Sequence, residues 1–201
     1  RHRAVLAHQR GVLAGRHRED RPGSGERVGQ LGRPEVDPVG RTLGPSAGVG
    51  RGGTPALVAI EGEGAHDLVT WCVGHVVELD EPEAYDPTWK QWRLTDLPLF
   101  PATFTYHPCE HTREQFTILT HLLRRADVTT IVNAADAGRE GELIFDLVYT
   151  LARCRKPVER LWISSLTREA ILAGFRHLQS ADTYRGLRDS AHCRQQADWL
   201  V

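Results

Sequence analysis

The stretch that most limits what this chain can fold into runs from residue 112 to residue 153. An apolar run, VTTIV at residues 128–132, lies between two segments whose apolar residues recur at helical spacing. In the first, Phe116, Leu119, Leu122 and Leu123 share one face, and Thr112 with Gln115 has the spacing of a capping box. In the second, residues 139–153, the shared face is Leu143, Ile144, Leu147, Val148 and Leu151. After Lys156 and Pro157, ERLWISSLT reads as another strand. Thr167 then caps a helix carrying Ile171, Phe175 and Leu178, and Asp182 caps one carrying Tyr184, Leu187 and Ala191. The order helix, strand, helix, strand predicts an α/β fold: a parallel sheet flanked by helices, with a helical segment at the C-terminal side.

Upstream, ALVAIEGEGAHDLVTW reads as two short strands around a glycine-rich turn at 61–64, with Val69, Trp71 and Val73 alternating against Thr70 and Cys72. Residues 80–111 lack a period, but Trp89, Trp92, Phe100, Phe104 and Tyr106 need burial, which predicts a packed loop. Residues 1–56 differ. They hold twelve of the nineteen glycines, five prolines and ten arginines, a composition that cannot bury a core, so a disordered arm is expected there. The expected domains are therefore 1–56, the arm; 57–158, the α/β domain; and 159–201, the start of a helical domain. That last segment stops at ADWLV, inside an apolar helix, and is expected to be truncated.

Bulk properties exclude several classes. The net charge of −1 and pI near 6.9 leave no chain-wide basic field for nucleic acid. No apolar run reaches the length of a membrane span, and no secretion signal is evident, so a soluble, cytoplasmic protein is expected. Four cysteines without a CxxC pair, and ten histidines without HExxH, predict reduced thiols rather than zinc or disulfides.

Chemistry concentrates at NAADAGREGELIF, residues 133–145. Asp136 falls just past the carboxyl end of a predicted parallel strand, where ligands of such sheets bind. Gly138 is expected to allow a sharp turn, and Gly141 to admit a close approach. Helical phase puts Glu140 at the inner edge and Glu142 on the wet side. Two readings of Asp136 with Glu140 stand side by side: they share a hard cation, for which magnesium is suited, or Asp136 caps the helix and Glu140 completes its first turn.

The wording of the motif adds to this. DAGREGELIF resembles the acidic motif of the toprim domain in type IA DNA topoisomerases, in the topoisomerase III branch. LVTWCVGHVVEL with EAYDP and WKQW resembles the segment preceding that motif, RLWISSLTREAI the strand and helix after it, and AHCRQQADWLV the start of the next helical domain. The resemblance spans residues 57–201 in order. It implies an enzyme that cuts one DNA strand through a tyrosine, passes another strand and reseals without ATP, with single-stranded DNA as partner and magnesium as cofactor. It makes Asp136 and Glu140 the catalytic metal ligands, puts Arg139 beside the phosphate, and makes Arg160 and Arg194 candidate phosphate contacts. His75 falls either near the site or in a structural turn. Arginine and lysine exceed acids by four across residues 151–201.

There are departures. Many relatives carry a second aspartate where this chain has Gly138. Where the family reads AEKPSVA, with a catalytic glutamate and a phosphate-binding lysine, this chain has His8 and Gln9 in VLAHQRGVLAG. A shifted reading frame from residue 8 to the mid-fifties would account for that. The cleaving tyrosine of the family has no match in Tyr85, Tyr106, Tyr149 or Tyr184, so the chain alone is expected to be inactive on DNA. The alternatives are a catalytically inactive toprim-type nucleic-acid-binding module and a toprim primase or nuclease.

Overall fold

The apolar segments assemble into one sheet in the computed structural model, which describes residues 2–7, 58–62, 65–72, 74–91 and 93–201. The strands are β1 (His2–Ala7), β2 (Val58–Gly62), β3 (Ala65–Trp71), β4 (Val77–Leu79), β5 (Tyr106–Pro108), β6 (Val128–Ala134), β7 (Val158–Arg160) and β8 (Gln179–Ser180). The helices are α1 (Pro82–Tyr85), α2 (Arg113–Arg124), α3 (Arg139–Leu151), α4 (Arg168–Arg176) and α5 (Arg185–Trp199). Six strands form the main sheet in the order β2-β3-β1-β6-β7-β8. Its four inner strands are parallel, and β2 and β8 add antiparallel edges.

Strand β1 is the first departure from the sequence reading, which gave residues 2–7 to a disordered arm. It lies between β3 and β6, with Ala7 opposite both Trp71 and Ala134. Residues Ala4, Val5, Leu6 and Ala7 are all buried. Its one charged side chain, Arg3, makes two 2.9 Å hydrogen bonds to the buried Asp67 on β3. A strand buried on both faces reads as a continuous apolar run rather than an alternation, and RAVLA has that form. The remainder of the arm, with His8 and Gln9, lies outside the described residues.

Side chains alternate across the sheet and so feed two cores. On one side Ala4, Leu6, Leu68 and Ile131 meet Leu119, Leu122 and Leu123 of α2 and Leu143, Ile144, Leu147 and Val148 of α3. On the other side Val5, Ala7, Val69, Val132, Ala134 and Leu161 meet Phe175 of α4 and Leu178. The expected parallel sheet with helices on its faces is what forms. The boundary expected between 158 and 159 falls inside β7, and Leu161 and Ile171 are fully buried. Residues 159–180 therefore complete the sheet and its second core.

Local signals fared unevenly. Thr167 caps α4, its hydroxyl accepting from the Ala170 N–H at 3.3 Å. Thr112 makes no such cap, and Gln115 instead donates to the carbonyl of Trp71 at 2.5 Å, tying α2 to the end of β3. Asp182 is not the cap of the last helix either: the Ser180 hydroxyl accepts from the Asp182 N–H, a 3-10 turn follows, and α5 starts at Arg185. The loop over 80–105 is clasped by the β4/β5 ribbon and by the end of α5. Trp199 meets Tyr85 and Phe104 edge-on at 5.2 and 5.5 Å and donates to the Asp80 carbonyl. Phe100, expected to be buried, is 72 % exposed.

Candidate functional site

Because the inner strands are parallel, their carboxyl ends gather along one margin of the sheet. Ala7, Trp71, Ala134 and Arg160 end β1, β3, β6 and β7 there. The loop from β6 to α3 leaves this margin carrying Asp136, and α3 starts at Arg139. Asp136, Arg139 and Glu140 are all exposed. Arg139 has no hydrogen-bonded or ionic partner among the described residues. Glu140 does: its Oε1 lies 2.5 Å from Nε2 of His75, in the turn after β3, with both side chains at least half exposed.

Beneath this ledge the polar groups are arranged differently. Arg160, expected as a phosphate contact, has no exposed surface. Its Nε donates to Glu142 Oε1 at 2.5 Å. Its Nη1 donates to the carbonyls of Asn133, Ala135 and Leu161 at 3.1, 2.7 and 2.7 Å, and its Nη2 to the carbonyl of Asp136 at 2.8 Å. The guanidinium also lies 4.9 Å from the Trp162 ring, which stacks on Tyr184 at 4.4 Å. Burial pulls the Arg160 guanidinium below its ordinary value, while Glu142 beside it pushes back up. An arginine keeps its charge in either case. Arg160 is thus satisfied by the protein and reaches the site only through the main chain of Asp136.

Glu142 is the matching correction. Helical phase set it on the wet side, yet it is 3 % exposed, while Glu140 at the supposed inner edge is exposed. Helix α3 is covered from more than one direction, by the sheet and by α5, so a single apolar stripe does not describe it. The signal that could have found the pair was the lone arginine in VERLW and the lone glutamate in GELIF. Charges carried into buried elements are costly unless they meet.

The two glycines also separate. A Cβ on Gly141 would lie 2.2 Å from the Asp136 carbonyl oxygen, so the helix presses on the loop at a point where only glycine fits. The expected close approach is therefore real, and the loop's own backbone makes it. Gly138 has φ 175, extended backbone open to any residue, and a Cβ there would meet nothing within 4 Å. It makes no turn that requires glycine.

Arg194 lies apart from the loop, on α5, 65 % exposed and 3.5 Å from Asp198. Asp136, Arg139 and Glu140 thus lie within five residues of one another at one sheet margin, while Arg160 is beneath them and Arg194 on another element. Among the described residues, no three His, Cys, Asp or Glu side chains converge on a point that could hold a metal ion. Two exposed carboxylates do suit a magnesium ion, which keeps several waters and takes phosphate oxygens rather than filling an all-protein cage. The alternative in which Asp136 caps the helix is not what forms, because Gly138 is the cap residue of α3 and no side chain caps it.

The pattern of the Toprim domain family matches residues 53–166, more than half of the chain. The chain belongs to the Toprim domain family. Its similarity to individual proteins agrees. It is 45 % identical over 139 residues to DNA topoisomerase 3 of Bacillus subtilis (strain 168), and 42 % to DNA topoisomerase 3 of Staphylococcus epidermidis. Each match covers 69 % of this Toprim chain and 19–20 % of the relative, so the chain spans about a fifth of the length of those relatives. Among solved structures, full-length topoisomerase I from Thermotoga maritima aligns with 90 % of this chain and 21 % of its own, at a TM-score of 0.45 and 12 % identity. Among the described residues no helix is long and apolar enough to cross a membrane.

Proposed function

We propose that this chain is the Toprim region of a type IA, topoisomerase III-like enzyme, and that it binds magnesium and the phosphate backbone of single-stranded DNA at Asp136 and Glu140. The observation that carries the reading is the pair of exposed carboxylates at the carboxyl margin of a parallel sheet, on a loop fastened from below by a buried arginine. The similarity to proteins named DNA topoisomerase 3 supports it. Magnesium, when bound, supplies positive charge against the scissile phosphate. The chain's own groups do the rest. Asp136 and Glu140 would hold the ion, Glu140 being the exposed acid whose contact with His75 a cation can replace. Arg139, exposed beside them, binds phosphate, and Arg194 makes a second backbone contact in place of Asp198. Arg160 serves the site from within and does not touch DNA.

The full reaction, cutting and resealing one DNA strand without ATP, belongs in this reading to the whole enzyme, in the cytoplasm. The described chain has no tyrosine free for it. The hydroxyls of Tyr85, Tyr106, Tyr149 and Tyr184 are each hydrogen-bonded within the protein. Burial pushes those of Tyr106, Tyr149 and Tyr184 above their ordinary value, away from the phenolate. The purified chain is accordingly expected to leave supercoiled plasmid intact in magnesium.

Fluorescence anisotropy with a labelled single-stranded oligonucleotide tests the binding claim. Magnesium should tighten binding to the wild-type chain and leave the Asp136→Asn/Glu140→Gln variant unchanged. Salt-sensitive binding that is the same in both, with or without magnesium, would identify a plain nucleic-acid-binding module instead.

A further inference from the structure

A buried ion pair is a poor way to gain stability, because desolvating two charges offsets most of their attraction. Its presence at one spot needs a reason. The bonds of Arg160 supply one. Of its five hydrogen bonds, one goes to Glu142 and four to main-chain carbonyls, of which Asn133, Ala135 and Asp136 lie along the β6–α3 connection. Asn133 adds to this from its side chain, its Oδ1 accepting from the Ala135 N–H at 3.0 Å. The same connection is met from the other side by α3, whose Gly141 leaves no room for a Cβ against Asp136. The backbone of Asp136 is therefore clamped between a planar cation and a helix.

We propose that the buried Arg160/Glu142 pair is the positioning element of the acidic site. It fixes the main chain that carries Asp136 and so sets where that carboxylate stands relative to Glu140. Glu142 is not a metal ligand: it is 3 % exposed and spent on Arg160. Its work is to balance the guanidinium's charge and aim it, with the Trp162/Tyr184 stack closing the remaining side. A lysine could keep the charge but not the fork, since an ammonium cannot hold several in-plane carbonyls at fixed angles. The part of this proposal that concerns metal rests on the magnesium reading above, and the part that concerns the loop does not.

The test uses Arg160→Lys and Glu142→Gln in the whole chain, with two readouts. Amide hydrogen exchange is followed at residues 135 and 142, whose N–H groups bond to Asn133 Oδ1 and to the Gly138 carbonyl at the two ends of the loop, and, as an internal reference, at residues 4–6 of β1. Magnesium affinity is followed by calorimetry. Both variants should speed exchange at residues 135 and 142 by about tenfold or more while residues 4–6 stay protected, the mark of a local opening. Magnesium affinity should fall about 10- to 100-fold, as when a group orienting a metal ligand is lost. Exchange that rises equally at β1 and at the loop would mean the pair is structural only and would overturn the proposal, as would an unchanged loop. Should Arg160→Lys fail to fold, Glu142→Gln decides by the same criteria. A wild-type chain that binds no magnesium but shows the local loop response would remove the magnesium reading and leave the positioning role standing.

Discussion

Glu140 and Glu142 stand two residues apart at the start of one helix, and each is paired with a basic side chain. Glu140 meets His75 in solvent, with side chains 61 % and 50 % exposed. Glu142 meets Arg160 at the same separation, 2.5 Å, with 5 % and 0 % exposed. Distance is identical and consequence is not. The outer pair competes with water and with any cation that arrives, so it gains little and is easily exchanged. The inner pair has no water to fall back on, and each partner is costly without the other. One short motif thereby divides its acids into one that can leave its partner for a ligand and one that cannot.

The comparison is broken most severely from within. Replacing Arg160 with Met leaves Glu142 buried and unpaired, and several loop carbonyls without donors. A loss of about 3–5 kcal/mol in urea denaturation is expected. Gly141→Ala acts on the same loop from the helix side. Its Cβ would overlap the Asp136 carbonyl, and an overpacking cost of about 1–3 kcal/mol is expected from the same measurement. At the outer pair, Glu140→Gln and His75→Ala should each shift stability by no more than about 0.5 kcal/mol. They should diverge in calorimetric magnesium titrations, Glu140→Gln losing binding and His75→Ala keeping it.

The smallest effect comes from a second surface pair, which shows how little an exposed contact yields even when its chemistry is strong. Arg125 makes two hydrogen bonds to Asp127 and holds its carboxyl down at about 2. The folded value is depressed, so this contribution is present above the ordinary carboxylate range near ~3.9. It is lost as pH falls from there toward about 2. Asp127 is 42 % exposed, which limits the effect to less than about 1 kcal/mol. Thermal melts between those pH values should show Asp127→Asn with a slightly flatter acid dependence than wild type.

The sequence made the fold legible where apolar residues form a long unbroken run, a single helical stripe or a strict alternation. Residues 128–134, the apolar stripe of α2 and the hairpin of β2 with β3 are examples. It failed where an apolar run is short or a polar side chain is enclosed. Strand β1 is only six residues long and runs straight into glycine-rich sequence, so composition over a wide window hid it. Glu142 was misassigned because a helical wheel supposes one wet face, while the first turns of α3 are enclosed. Asp136 was found because its place past a strand end follows from chain order alone. The role of Arg160 could not be found that way, since four of its five bonds go to backbone carbonyls, which leave no trace in a pattern of side chains.

The central claim is that Asp136 and Glu140 share one divalent ion, and paramagnetic broadening tests it most directly. Manganese, standing in for magnesium, is added in small amounts to isotope-labelled chain while amide resonances are followed. The account predicts that residues 136–140 broaden first, that excess magnesium reverses the effect, and that Asp136→Asn abolishes it. Broadening that begins elsewhere, for instance around the carboxylates of Glu78 and Asp80 that flank His107, and that survives Asp136→Asn would contradict it.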